Sequence, residues 1–373
     1  MKLNRLPALL AAGALIFSCT ALTGCSDSSN NNKSDNKQNS SASTVSNQSS
    51  QSSSEGFKGN QMTAKAELLL NQLYGSAGCI YLCEKNNVRL EDSYKKNITD
   101  EAKNFMSGLD LSIVSTSDLA KLICTDNVLS LGMKDKLFSD LYARYDEQTK
   151  LFDDYEGDTY EGLDEDTALT MKIASTDALW TQLNAFGIKD DKYDIKKLLS
   201  DAFNANVGKY DHNDIYKDGW SVSNELENIF YYYLITDSVK EINYKPVWDV
   251  LGPNYLHTLF ESNENKDGFN AESADNLSGV TTDYKAANVL DAGIKPEYTP
   301  QEYYNTLDSD SAFLYNTGSD DFIYFEYYLF IALNQPSDLK LDENKYFTDN
   351  INKWLRHCYE NNHGIVPYEE SVS

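Results

Sequence analysis

An all-α fold, about six helical hairpins closed into a ring, is what this 373-residue chain predicts. Three observations point there: a helical unit that recurs with identical spacing, a near-absence of strand signals, and a domain whose two ends each carry half a unit. Gly162-Leu163-Asp164 opens a stretch that passes through Thr176-Asp177 and ends at Gly187-Ile188. Gly268-Phe269-Asn270 opens a second, passing through Thr282-Asp283 to Gly293-Ile294 at the same intervals. Such self-similarity marks repeat architectures, in which each unit buries its apolar face against the next.

The unit predicts its own local structure. Thr176 and Thr282 are suited to cap a helix start, with Asp177 and Asp283 placed to favour the positive end of its dipole. Gly187 and Gly293 suit the left-handed residue that ends the helix. Gly162 and Gly268 then close the preceding helices, expected over roughly 134–152 and 246–261. Weaker copies follow the same plan. An amphipathic segment over Ile195–Phe203 leads through Val207-Gly208-Lys209-Tyr210 to an apolar helix over Asn224–Ile235. Gly108-Leu109-Asp110 precedes Ser117-Asp118-Leu119-Ala120, and Tyr315-Asn316-Thr317-Gly318 precedes the aromatic run 322–333. A last helix over about 347–359 runs into His363-Gly364-Ile365 with no partner helix after it. The orphan helix over Met62–Leu73 stands at the other end, and pairing the two closes the ring. No proline occurs between Pro7 and Pro246, β-branched alternation is scarce and Asn-Gly turns are absent, all of which speak against strands. An open α-solenoid of the same units is the rival architecture.

Ahead of this domain the chain carries an address. Lys2 and Arg5 precede an apolar stretch from about Leu6 to Leu22, the length of a secretory signal rather than of a spanning helix. It closes on Leu22-Thr23-Gly24-Cys25, which resembles the bacterial lipobox. That resemblance implies diacylglycerol on the Cys25 thiol and cleavage before it, with further acylation such as palmitate making the anchor stable. The expected division is a signal peptide over 1–24, a linker over 25–56 and the helical domain over 57–373. The linker is almost all Ser, Asn, Gln, Asp and Lys, a composition that buries too little to order itself. As a flexible coil it spans about 30 Å, and about 100 Å stretched. The expected location is the outer face of a cell membrane, held by lipid, with a stalk that suits a thick Gram-positive wall.

A formal charge of −26 argues against nucleic acid, which needs clustered Lys and Arg. It fits solubility and neutral or basic ligands. The mature cysteines are Cys79, Cys83, Cys124 and Cys358. They contain no Cys-x-x-Cys pair. Buried free thiols, a disulfide from the N-terminal pair to Cys358, and a metal site all remain open.

The unit Gly268-Phe269 through Thr282-Asp283-Tyr284 to Gly293-Ile294 resembles the repeat of the terpenoid cyclase and protein prenyltransferase superfamily. The resemblance implies an α/α toroid whose inner helices surround a cavity. It does not fix an activity. The prenyltransferase zinc set has no counterpart, because Asp283 has no cysteine near it in sequence. The Asp-x-Asp-Asp-Thr motif of class II cyclases is met only as Leu163-Asp164-Glu165-Asp166-Thr167, with Glu165 where the proton donor belongs. The thioester sequence of complement-type toroids is missing. Asn263–Gly268 begins like a calcium loop, but Ala274 occupies the place of its bidentate acid. His212, His257, His357 and His363 form no triad-like pattern. No cofactor and no metal is implied.

The remaining candidates are glycine-loop and helix-start residues expected at a cavity mouth: Tyr160, Asp164, Asp166, Tyr210, Trp220, Phe269, Asp283 and Tyr284. Aromatic faces beside acids suit sugars or peptides. The expected function is therefore a non-catalytic binding module for a glycan, a peptide or a protein partner. The alternative is an extracellular polysaccharide hydrolase or lyase working with two carboxylates in the barrel.

Overall fold

A computed structural model describes residues 62–85, 89–90, 92–155, 157, 160, 162–216, 220–252, 275–290, 292–293, 298–306 and 340. The expected signal peptide, lipobox cysteine Cys25 and linker, together with Phe269, Cys358 and the last expected helix, lie outside them. In chain order the helices are α1 (Ala64–Lys85), α2 (Asp92–Ser107), α3 (Thr116–Leu129), α4 (Lys134–Ala143), α5 (Glu165–Ala185), α6 (Ile195–Asn206), α7 (Val222–Ile235), α8 (residues 245–252), α9 (Asp275–Val289) and α10 (Pro300–Thr306). Between α4 and α5 two short strands, β1 (Tyr145–Asp146) and β2 (Leu151–Phe152), pair antiparallel. Among the described residues this hairpin is the whole of the sheet structure, and the class is all-α.

The helices alternate between two layers. α1 packs on α3, α3 on α5, α5 on α7 and α7 on α9, while α2 and α6 each lie against the odd-numbered helices on both sides of them in sequence, α4 against α3 and α10 against α9. Burial follows this division. α2 buries Tyr94, Ile98, Ala102 and Met106, and α6 buries Ile195, Leu199, Phe203 and Asn206. Spacings of three and four put each set on one stripe, the mark of a helix with one face in solvent. α3, by contrast, is buried at every residue but Asn127, and α7 at all but Asn224, Glu227 and Asn228. Each fully buried Leu or Phe of these walled-in helices stabilises the fold by roughly 1.5–3 kcal/mol.

Successive odd helices run in the same direction. Lys121 of α3 reaches Asn71 of α1, and Tyr232 of α7 meets Thr181 and Asn184 of α5. Lys285 near the end of α9 pairs with Asp237 just past α7. At the far end of α5, the Phe186 ring lies 5.5 Å from Tyr74 and 5.1 Å from Tyr81 of α1.

Starts and stops recur with the layer. Ser115, Asp164 and Asp194 cap α3, α5 and α6, accepting from the amides of Asp118, Thr167 and Lys197. The residues ending α3, α5 and α7, and Gly293 beyond α9, adopt left-handed backbone: Ser130, Gly187, Asp237 and Gly293. After α5 and α7 the pattern is a Schellman stop, with Ile188 N bonded to Leu183 O and Ser238 N to Tyr233 O. Gly187 takes this conformation without steric cost, whereas Asp237 pays for it in its Cβ contact.

Three expectations are corrected here. Thr176 and Thr282 are not caps but interior residues of α5 and α9. Thr176 Oγ1 donates to Lys172 O one turn back and accepts from Phe152 N of the hairpin, so it is a tertiary anchor. The helix expected over 134–152 stops at Ala143, so Gly162 does not end a helix. Arg144 is fully buried and explains the stop. Its Nη1 donates to Val114 O (2.8 Å) and Asp154 O (2.9 Å), and its Nη2 to Leu111 O (3.1 Å) and Asp140 Oδ2 (2.7 Å). Burying a guanidinium demands this many partners, and meeting them draws the chain out of the helix. Tyr145 and Phe152 then pack on Tyr193 before α6. The helix expected to end at Leu73 instead continues as α1 to Lys85.

Candidate functional site

The loops that precede α3, α5 and α7 meet at one end of the odd-numbered layer. Thr116 N, at the start of α3, donates to Asp154 O (2.8 Å). Lys172 of α5 holds Asp146 and Asp153 of the hairpin. Lys209, ahead of α7, pairs with Asp166 at the start of α5. This rim is where the sequence candidates fall, in different circumstances. Tyr160 has left-handed backbone and is buried, its hydroxyl accepting from Asp154 N (3.1 Å) and its ring 5.1 Å from the Lys172 ammonium. It fastens the loop. Asp164 is exposed and caps α5, and the Thr167 amide and hydroxyl hold its carboxyl below the usual range. Asp166 is exposed in the first turn. Tyr210 and Trp220 are half-buried. Asp283 and Tyr284 lie within α9 rather than in a loop, with Tyr284 half-buried.

Beneath the rim, α7 carries two acids. Glu227 Oε1 accepts from the Tyr210 hydroxyl at 2.7 Å and lies 2.9 Å from His212 Nδ1. Burial raises its carboxyl, and the bonds from Tyr210 and His212 oppose that rise. Glu225 lies deeper, 1 % exposed, hydrogen-bonded by the side chains of Trp220 and Asn228. Asp177 of α5 is 0 % exposed and near enough for its charge to raise Glu225. Burial alone lifts Asp177 to about 7, and burial followed by the charge of Asp177 lifts Glu225 well above the carboxylate range. Among the described residues, neither oxygen of Asp177, nor Glu225 Oε1, nor Thr181 Oγ1 meets a hydrogen-bond partner. The rings of Trp180, Tyr232 and Tyr233 pack together next to these acids.

A second polar group joins α1 to α3. The buried Lys121 ammonium donates to Asp118 Oδ1 and Asn71 Oδ1, each at 2.8 Å. Glu67 of α1 is raised by burial and then by the negative charge of Asp118, with Lys121 opposing. Outside the layer, Leu109, Leu111, Lys136, Ser139, Asp140 and Ala143 line an open groove of about 500 Å³. Cys79, Cys83 and Cys124 are buried, and Cys83 and Cys124 are free thiols.

Sequence reasoning did not single out Glu225, Glu227, Lys121 or Arg144. One signal was present: Glu225 and Lys121 interrupt the otherwise apolar runs of α7 and α3, where a buried charge needs a reason. Comparison with protein-family models, with curated proteins and with solved structures returns no match to this chain.

Proposed function

We propose that the protein is a lipid-anchored extracellular binding module: Cys25 holds it to the membrane, the Ser/Asn-rich linker carries it outward, and an α/α toroid presents a ligand site on its rim. The alternation of two helical layers supports the toroid, as does the parallel run of the odd helices. So does the contact of Phe186 with Tyr74 and Tyr81 across α3, since a layer curving into a ring brings next-nearest helices together at one end. The observation that carries the binding reading is the half-buried rim cluster of Tyr210, His212 and Glu227. An aromatic face next to hydrogen-bonding acids matches the needs of a neutral sugar or a peptide.

The hydrolase reading rests on Asp177 and Glu225, two coupled acids with raised proton affinity, the chemistry of a general acid. Both are closed to solvent, and a substrate must reach an acid to be protonated by it. Binding is therefore favoured. The test is a glycan array probed with the mature chain from residue 26 on, with product analysis of every hit and a parallel peptide array. The expected result is retention without product, weakened in Tyr210→Ala. Released oligosaccharide, lost in Glu225→Gln, would establish the enzyme instead, and silence on both arrays would reject the rim as the site.

A further inference from the structure

We propose that Tyr142 and Tyr193, with Asp190 beside them, form a second binding site, suited to a quaternary ammonium group and occupied in this structure by the chain's own Lys192.

The site lies between α4 and α6 and shares no residue with the Tyr210, His212 and Glu227 cluster. Tyr142 stands in the last turn of α4, and Asp190, Lys192 and Tyr193 belong to the loop that leads into α6. The Lys192 ammonium is 4.7 Å from the centre of the Tyr142 ring and 4.8 Å from that of Tyr193. The two rings are 5.6 Å apart and inclined at 71°, so they make a corner with one cation over both walls. Ring quadrupoles attract a cation in that position, and more so where it is partly desolvated.

Asp190 sets the corner. Its Oδ1 accepts from the Tyr142 hydroxyl at 3.0 Å, from Lys192 N at 2.6 Å and from Tyr193 N at 3.0 Å. One oxygen thus ties the first ring to the backbone that carries the second. A phenol donating to a carboxylate also gains electron density in its ring, which strengthens its hold on a cation. Asp190 Oδ2 is buried and meets no hydrogen-bond partner among the described residues, so a positive charge nearby is its favourable complement. The hairpin braces the corner from behind. Tyr145 stacks on Tyr193 at 4.1 Å, and Phe152 meets the same ring at 5.6 Å and 87°. Walls fixed in this way stay in place when the cation leaves, the preorganisation that lowers the cost of binding.

Lys192 is the part free to move. It is exposed, while Tyr142 and Tyr193 are half-buried. Among the described residues the rings are the partners of its ammonium. An ammonium on a flexible four-carbon stem is strongly hydrated and returns readily to water. A quaternary ammonium sheds its water more easily and presents methyl groups to the rings, which is why aromatic corners select it.

The experiment is choline titration of the mature chain from residue 26 on, at constant ionic strength, read by saturation transfer from aromatic protons to the choline methyls. The uncharged isostere 3,3-dimethyl-1-butanol is the comparison. Expected is saturable transfer to choline and none to the isostere. Lys192→Ala tightens the choline affinity about tenfold, the gain when an occupant filling the site about nine-tenths of the time is removed. Tyr142→Leu abolishes the transfer. Flotation of Lys192→Ala with phosphatidylcholine vesicles assigns the ammonium to a lipid headgroup, and choline binding without flotation assigns it to a soluble ligand. The proposal is overturned if Lys192→Ala shows no saturable binding or no gain over the parent. An equal response to the isostere overturns it too, as does binding that survives Tyr142→Leu. If Tyr142→Leu fails to fold, Lys192→Ala decides, because its exposed side chain leaves the core untouched.

Discussion

Replacing Asp177 by Asn should make this protein more stable at neutral pH, against the usual direction of core substitutions. The carboxyl is 0 % exposed, and burial raises its pKa from 3.8 to about 7. A folded-state pKa above the unfolded value means that the native state holds the proton longer than the unfolded chain. Stability then falls as pH rises from near 4 to near 7 and stays low above that. With about 1.4 kcal/mol for each pKa unit, the loss attributable to this group is roughly 4 kcal/mol. Asn fills the same shape without an ionisable proton, so it removes the slope. The assay is urea unfolding of parent and variant at pH 4.5 and pH 8. The difference in unfolding free energy, variant minus parent, should grow by several kcal/mol between the two conditions. Glu225 titrates in the same pair, so part of the slope persists in the single variant and disappears in Asp177→Asn with Glu225→Gln. Parallel pH profiles for parent and variant would refute the reasoning, because they would mean that Asp177 ionises in the folded protein as it does in water.

Two further outcomes are expected. Arg144→Met takes from Val114 O its donor, removes one of the donors to Leu111 O and to Asp154 O, and leaves Asp140 without its cation; loss of one partner from such a network costs about 3–5 kcal/mol, measurable as a lower urea midpoint, and Arg144→Lys recovers only part because an ammonium lacks the planar fork. Cys25→Ser abolishes incorporation of an alkyne-tagged fatty acid and moves the protein from the membrane to the soluble fraction. Continued labelling of Cys25→Ser would place the acyl chain elsewhere.

Gly187 was legible as a stop because left-handed backbone one residue past the helix cap selects glycine locally; Gly293 has the same backbone but lies beyond the end of α9 at Val289. The interior of the repeated unit was read in the wrong register. A Thr-Asp pair looks like a helix start when judged alone, yet Thr176 serves the hairpin through a contact distant in sequence, and Asp177 is buried in the interior of α5. The end of α4 at Ala143 was hidden for a similar reason. No glycine or proline marks it, and the residue that ends it, Arg144, acts through carbonyls that only the folded chain brings near. Among the site residues, Tyr210 and Trp220 could be picked out by their place beside a glycine loop. Glu225 could not be told from the other acids of so acidic a chain until its burial was known.

Because the odd helices run in parallel, their backbone dipoles add within that layer. Positive helix ends gather at the rim, where Asp166 occupies an exposed first turn and is favoured there by about 0.3–1 kcal/mol. At the other end the carbonyl termini of α3, α5, α7 and α9 have no basic residue in their last turns. Partial negative charges there go uncompensated on a chain already at −26. Within the odd layer the two helix ends therefore differ in what they offer a neighbour: backbone amides to negative groups at the rim, carbonyls to positive ones at the other end.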